Sequence, residues 1–204
     1  MLTLFLIAIT GLISFYAFND PTLRQKLIFY PYDIDKNNNY YRFISSGFIH
    51  ADWMHLIFNM VTLYFFGRNV ETYFSIYFGN MGLLLYLLLY LSSMAAASSI
   101  SFMKYKDNVA YRALGASGAT SAVLFVAIMF DPLMTLIIFP IPIPLPAIVV
   151  GIGYLFYSHW AAKNARDNIG HDAHFFGALF GVLFILAFRY QTAFEFWTKL
   201  TSWF

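Results

Sequence analysis

The chain has 204 residues, of which 60% are hydrophobic, 21% aromatic and only 11% charged. A water-soluble domain carries about 25% charged residues, so the composition excludes a soluble globular fold and points to a bundle of membrane helices with many rings at its interfaces. A net charge of +2 is too small to indicate a nucleic-acid partner, and the absence of cysteine excludes a disulfide, a thiolate nucleophile and a Cys-based metal site.

Residues 1–19 form an uncharged run long enough for a span of about 20 residues. The run lacks a basic n-region and a clear small-x-small cleavage site, so a retained first helix over 2–19 is expected rather than a signal peptide. Pro21, Pro31 and Asn37-Asn38-Asn39 interrupt the next stretch, and its one apolar run, Leu27-Ile28-Phe29-Tyr30, stops at Pro31. That excludes a full span and predicts a large first loop, 20–47, lying partly among lipid headgroups. A second span is expected over 48–67, with Asp52 near its start, where an acid suits the positive end of a helix. Arg68 to Glu71 reads as a short loop.

The third span is placed at 80–101, and its later part, Ser92 to Ser99, is rich in small side chains that allow close helix contact. After the polar loop Lys104 to Arg112 comes a fourth span, 116–130, stopped by Asp131-Pro132. Pro140, Pro142, Pro144 and Pro146 alternate with apolar residues; such a run cannot be helix interior and predicts an extended connector. The fifth span, 147–162, leads through the polar loop Lys163 to Asp172 into the sixth, 173–188, and a mildly amphipathic aromatic tail follows. The expectation is an all-α membrane protein with six transmembrane helices, one domain over 1–204.

The fourth span opens on Gly115-Ala116-Ser117-Gly118-Ala119, a serine among residues with almost no side chain. Its hydroxyl is unobstructed there, and the unpaired amides of a helix N-terminus beside it can stabilise negative charge. Small residues also simply let membrane helices pack closely, so the motif alone decides nothing. Its company decides more. Four of the five histidines lie in two clusters, His50/His55 and His171/His174. His55 and Asn59, at i and i+4, share one helix face, as do His174, Gly177 and Gly181 at i, i+3 and i+7. The glycines admit a close neighbour. If that neighbour is the start of the serine helix, Ser117 and His174 could form a nucleophile and its base. His55, Asn59 and the Ser117 amide could then supply donors to an oxyanion. Six alternating spans place all these groups towards the same side of the membrane.

Gly115-x-Ser117-Gly118, His50-x4-His55-x3-Asn59 and Ala173-His174-x2-Gly177-x3-Gly181 together resemble the rhomboid family of intramembrane serine proteases, in the family's order and over essentially the whole chain. Tyr41-Arg42 resembles that family's Trp-Arg pair in the first loop. The resemblance implies that Ser117 is the nucleophile, His174 the general base and acid, and His55 with Asn59 the oxyanion hole, with His50 structural. It implies no third carboxylate, no cofactor and no metal. The substrate it implies is a single-span membrane protein cut near small, helix-breaking residues, within the lipid bilayer of a bacterial inner (cytoplasmic) membrane. Two departures stand out: Tyr41 replaces tryptophan, and Ser121 occupies the position, one turn after the serine, where well-studied bacterial members carry a tyrosine stacked on the histidine. A neighbouring ring, Tyr111, Phe175 or Phe176, is expected to fill that place.

Two other readings compete. Intramembrane histidines often mark ion paths, so the chain could be a transporter or metal-binding channel with His171, Asp172 and His174 as ligands, although a zinc site wants three or four ligands. It could also be a catalytically inactive rhomboid-like binder of membrane helices, against which the presence of both Ser117 and His174 argues. For orientation, the loops before the second, fourth and sixth spans hold nine basic residues and the opposite side only Arg68, Arg189 and Lys199. The positive-inside rule thus turns the mouth of the site to the cytoplasm, whereas the resemblance implies an outward opening; the latter is adopted.

Overall fold

A computed structural model describes residues 1–138, 141–164 and 170–202. Phe139 and Pro140 of the proline run, Arg166 in the last polar loop, and Trp203-Phe204 of the tail lie outside the described residues. Helix α1, Leu2–Asn19, ends where Asp20 turns to extended backbone, and Asp20 at once caps α2, Pro21–Leu27. The Asp20 carboxylate accepts from the Thr22 and Leu23 amides at 2.8 and 3.0 Å, and Pro21 sits at the first helical position, where its missing N–H costs nothing. Pro31 opens α3, Pro31–Asn37, in the same way, and α4, Arg42–Ser45, follows. The segment 20–47 is therefore a set of short helices rather than an open loop: each proline begins an element.

Arg42 binds this segment together. It is buried; Nη1 donates to the carbonyls of Gln25 and Ile28 at 2.8 and 2.9 Å, and Nε pairs with Asp33 at 2.8 Å. Partial burial works against ionised Asp33, but hydrogen bonds from Asn37 and Asn39 and the Arg42 guanidinium outweigh it and hold the carboxyl below its ordinary 3.8. Tyr41 adds a hydrogen bond from its hydroxyl to the Lys26 carbonyl, 3.0 Å.

Helix α5, Trp53–Thr62, begins later than the expected residue 48, because Asp52 is its N-cap and accepts from the His55 amide at 2.8 Å. It passes through a π-helical turn, Leu63–Gly67, into α6, Arg68–Phe78. Arg68 to Glu71 is thus helical, not a loop. The expectation failed because the partners of Glu71 lie at the far end of the sequence. Its carboxylate accepts from the Leu2 and Thr3 amides (2.7 and 2.9 Å) and the Thr3 hydroxyl (2.6 Å), and also pairs with the amine of Met1. The first N–H groups of a helix have no partner within it; here another helix supplies one, and in return a charge is accommodated in the middle of a long helical stretch.

Gly79, with φ at +53°, reverses the chain into α7, Gly82–Tyr105, which packs back on α6. By length and apolarity three helical stretches suffice to cross a membrane, Leu2–Asn19, Trp53–Tyr105 and His171–Phe188, and two apolar helices are shorter, Ser117–Phe130 and Ala147–Ala162. The protein is an all-α, multi-pass membrane fold, while six full-length spans are not reached by this measure. One reason is that the 53-residue stretch contains the reversal at Gly79.

The other is α8, Ser117–Phe130, of 14 residues. At ~1.5 Å per residue it is about 21 Å long, against about 30 Å of hydrocarbon. Nearly every residue on it is buried, as befits a helix apolar all round. Helix α10, His171–Phe188, packs along it, with α7 on another side. Between α8 and α9, Ala147–Asn164, the proline run is extended as expected, but as the second strand of a hairpin: β1, Thr135–Ile138, pairs antiparallel with β2, Ile141–Pro146, in the register Leu136↔Leu145 and Ile137↔Pro144. The tail forms α11, Gln191–Thr201, whose Lys199 donates to the carbonyl of Phe130 at the end of α8, 2.7 Å.

Candidate active site

Four hydrogen bonds to the first third of the chain suspend the loop that delivers Ser117. Ala113 and Phe29 exchange a pair of backbone bonds at 3.0 Å, and the Gly115 amide donates to the Ser46 carbonyl at 2.9 Å. The Ala116 amide then donates to Nε2 of His50 at 3.3 Å. The state of His50 follows from its neighbours. The single proton of Ser14 goes to the Phe48 carbonyl at 2.9 Å, so at the 2.9 Å contact between Ser14 Oγ and His50 Nδ1 the ring must be the donor. His50 is therefore neutral, protonated on Nδ1 and accepting on Nε2. It joins α1 to the residue before the serine, which is a structural role.

Gly115 has φ at +116°, and a Cβ there would lie 2.5 Å from Cε1 of the His55 ring. Both the conformation and the space demand glycine. His55 stands edge-on to His50, ring centroids 5.0 Å apart. One turn on, Asn59 is buried, donates from Nδ2 to the His55 carbonyl at 2.8 Å, and accepts at Oδ1 from Thr120 at 3.0 Å. These two bonds fix the amide orientation and leave one Nδ2 hydrogen uncommitted by them.

The glycines of α10 meet α8 directly. A Cβ on Gly177 would overlap the carbonyl of Gly118, and one on Gly181 that of Ala122. On its other side Gly118 faces Ala97 of α7, where an added Cβ would come within 2.6 Å of the alanine methyl. In a bilayer, where lipid is as apolar as leucine, such backbone contact is what holds helices together. It also carries His174, one turn before Gly177, to the level of Ser117. Ser117, His174, His55 and Asn59 line one cavity of about 790 Å³ with Gly115, Tyr154 and parts of α7. All four residues expected from the sequence are thus brought together. Ser117 stands at the first position of α8, where backbone amides lack helical partners.

Among the described residues two rings flank His174, and neither is among those expected: His171 stands edge-on to it with centroids 5.8 Å apart, and a tyrosine faces it. Tyr154 of α9 lies parallel to the imidazole, centroids 6.0 Å apart and planes 19° apart. Its hydroxyl is 2.6 Å from Ser121 Oγ. Tyr111 instead stacks on Tyr105 at 3.9 Å, and Phe175 packs against His159 and Phe176. One signal was available in the sequence. Gly151, Tyr154 and Ser158 are spaced i, i+3 and i+7, a small-and-polar stripe on an otherwise apolar helix.

Residues 37–191 match the family model described as Rhomboid domain. The chain is similar to "RHOMBOID-like protein 12, mitochondrial" of Arabidopsis thaliana, 32% identical over 152 residues, which are 70% of this chain and 45% of that protein. It is also similar to "Rhomboid-like protein 11, chloroplastic" of the same plant, 29% identical over 157 residues, 72% of this chain and 51% of that protein. The chain spans about half the length of these curated relatives.

Proposed function

The chain belongs to the rhomboid family, and from that premise we propose that it is an intramembrane serine protease, cutting a peptide bond in or near the transmembrane segment of a single-span membrane protein. The observation that carries this reading is the convergence of Ser117, His174, His55 and Asn59 on one cavity at the start of a helix shorter than the hydrocarbon is thick. Ser117 Oγ attacks the scissile carbonyl carbon as His174 takes its proton. The oxygen of the tetrahedral intermediate is negatively charged and faces the Ser117 amide, His55 and the remaining Nδ2 hydrogen of Asn59. The C–N bond breaks, His174 returns the proton to the leaving amine, and water releases the acyl group by the same two steps reversed. The chain is proposed to cross the membrane six times, with Trp53–Tyr105 folded into two crossings at Gly79.

A fluorophosphonate, which reacts only with an activated serine, tests the reading directly. It is expected to label the wild-type protein at Ser117 and to leave Ser117→Ala unlabelled. Undiminished labelling of Ser117→Ala, or none of folded wild type, would count against the protease. Among the described residues no group of three or more His, Asp or Glu side chains is arranged to hold a metal ion.

The oxyanion role of Asn59 has its own signature. Charge develops on the oxygen only in the transition state, so Asn59→Ala should lower kcat by more than it raises KM. Removing one such donor costs about 2.7–4 kcal/mol in a soluble serine protease, and sharing among three donors should hold the loss here nearer ~10²-fold in kcat. Steady-state kinetics on a quenched single-span reporter measures the split. A defect confined to KM would assign Asn59 to substrate binding instead.

A further inference from the structure

In Tyr154 the site has a residue that neither carries the chemistry nor resembles packing for its own sake. Ser121 is buried and donates its hydroxyl proton to the Ser117 carbonyl at 2.7 Å. With that proton committed, the 2.6 Å contact to Tyr154 leaves the phenol as donor. The ring is thus fastened to the serine helix at its tip while its face lies along the His174 imidazole. Gly151, three residues earlier on the same face of α9, also faces α8: a Cβ there would stand 2.9 Å from the terminal Cδ1 of Ile128. Phe125, one turn beyond Ser121, closes the socket with its centroid 6.1 Å from that of Tyr154. A ring growing from position 121 and the ring reaching in from position 154 would claim the same space beside the imidazole.

We propose that Tyr154 is a positioning residue for His174, held by Ser121 in a socket that takes one ring, so that the seating of α9 helps to orient the base. The proposal rests on the reading of Ser117 and His174 as nucleophile and base. Its consequence is a dependence of catalysis on a third helix. The nucleophile belongs to α8 and the base to α10, and these two are locked by backbone contact at Gly177 and Gly181; the ring that aims the base belongs to α9. α9 also packs against α10, so its seating bears on the imidazole both through the ring and through the helix that carries His174.

The test is a reciprocal swap in the full-length protein, reconstituted with the quenched single-span reporter. Tyr154→Ala is expected to lower kcat about 10²-fold, the scale of a small misplacement at a reacting pair, with KM nearly unchanged. Tyr154→Phe, which keeps the ring and loses only the hydrogen bond to Ser121, should retain most of the rate. Ser121→Tyr alone should be harmful, because the socket is full and overpacking strains a core. The double variant Ser121→Tyr with Tyr154→Ala should recover at least tenfold over Tyr154→Ala, since one ring again fills one socket; contacting residues are where such non-additivity is expected. Where Tyr154→Ala fails to fold, Tyr154→Leu, which keeps bulk without a ring, carries the same expectation. The proposal is overturned if the folded alanine or leucine variant keeps wild-type kcat, if the loss lies wholly in KM, or if the double variant is no better than the single. Ser117→Ala run in parallel separates the failures. If it still cleaves, the protease reading falls and takes this proposal with it; if it is inert while Tyr154→Ala is unimpaired, only the ring's role falls.

Discussion

Ser117→Ala and His174→Ala are each expected to abolish cleavage of a single-span reporter while leaving the protein folded, and the double variant should be no worse than either alone. Serine without a base is a poor nucleophile, and a base without a serine has nothing to activate. Groups that act as one unit therefore lose their whole effect at the first deletion. Neither side chain is needed to hold the bundle. The close approach of α8 and α10 is made by Gly177 and Gly181 against backbone carbonyls, and the loop before Ser117 is held through Ala113, Gly115 and Ala116. Turnover, with a thermal melt to verify folding, measures the effect. Substantial residual proteolysis in purified Ser117→Ala would remove the serine from the mechanism.

The second large effect belongs to Gly177. An alanine there drives its methyl into the Gly118 carbonyl, and backbone cannot move aside as a flexible side chain can. Overpacking of this kind costs about 1–3 kcal/mol. The catalytic loss should exceed what the melt alone suggests, because separating the helices also draws His174 from Ser117, and about 1 Å at a reacting pair can cost ~10²-fold. Gly181→Ala meets the Ala122 carbonyl one turn further from the site, so it should lower Tm comparably and turnover less. Equal turnover defects in the two variants, or none in Gly177→Ala, would contradict the account of how the histidine is carried to the serine.

These glycines belong to what the sequence alone makes legible. Ser117 among small residues, the i, i+4 pair His55/Asn59 and the stripe His174, Gly177, Gly181 are local patterns, and local patterns fix which face of a helix a group occupies. The cavity assembled from them holds all four residues. The unread parts depend on partners distant in sequence. Glu71 looked like the edge of a loop because the amides it accepts belong to Leu2 and Thr3. Tyr154 looked like one more ring in an aromatic-rich membrane protein because its partner, Ser121, lies on another helix. Pro21 and Pro31 were misread for another reason: their effect depends on position, and at a first helical turn a breaker becomes a starter.

The hairpin between α8 and α9 bears on how copies of this protein meet. Every second residue of β2 after Ile141 is a proline, and along a strand every second N–H points to the same edge. One edge of β2 therefore offers carbonyls but no donors, and prolines in sheets stand where the missing N–H faces away from the ladder. Ile137 and Ile143 are well exposed on this hairpin, an apolar ribbon that would otherwise invite strand-to-strand association with a neighbour in a crowded bilayer. Without donors on its open side β2 cannot complete a ladder with a third strand, which leaves any further pairing to the outer edge of β1, Thr135–Ile138.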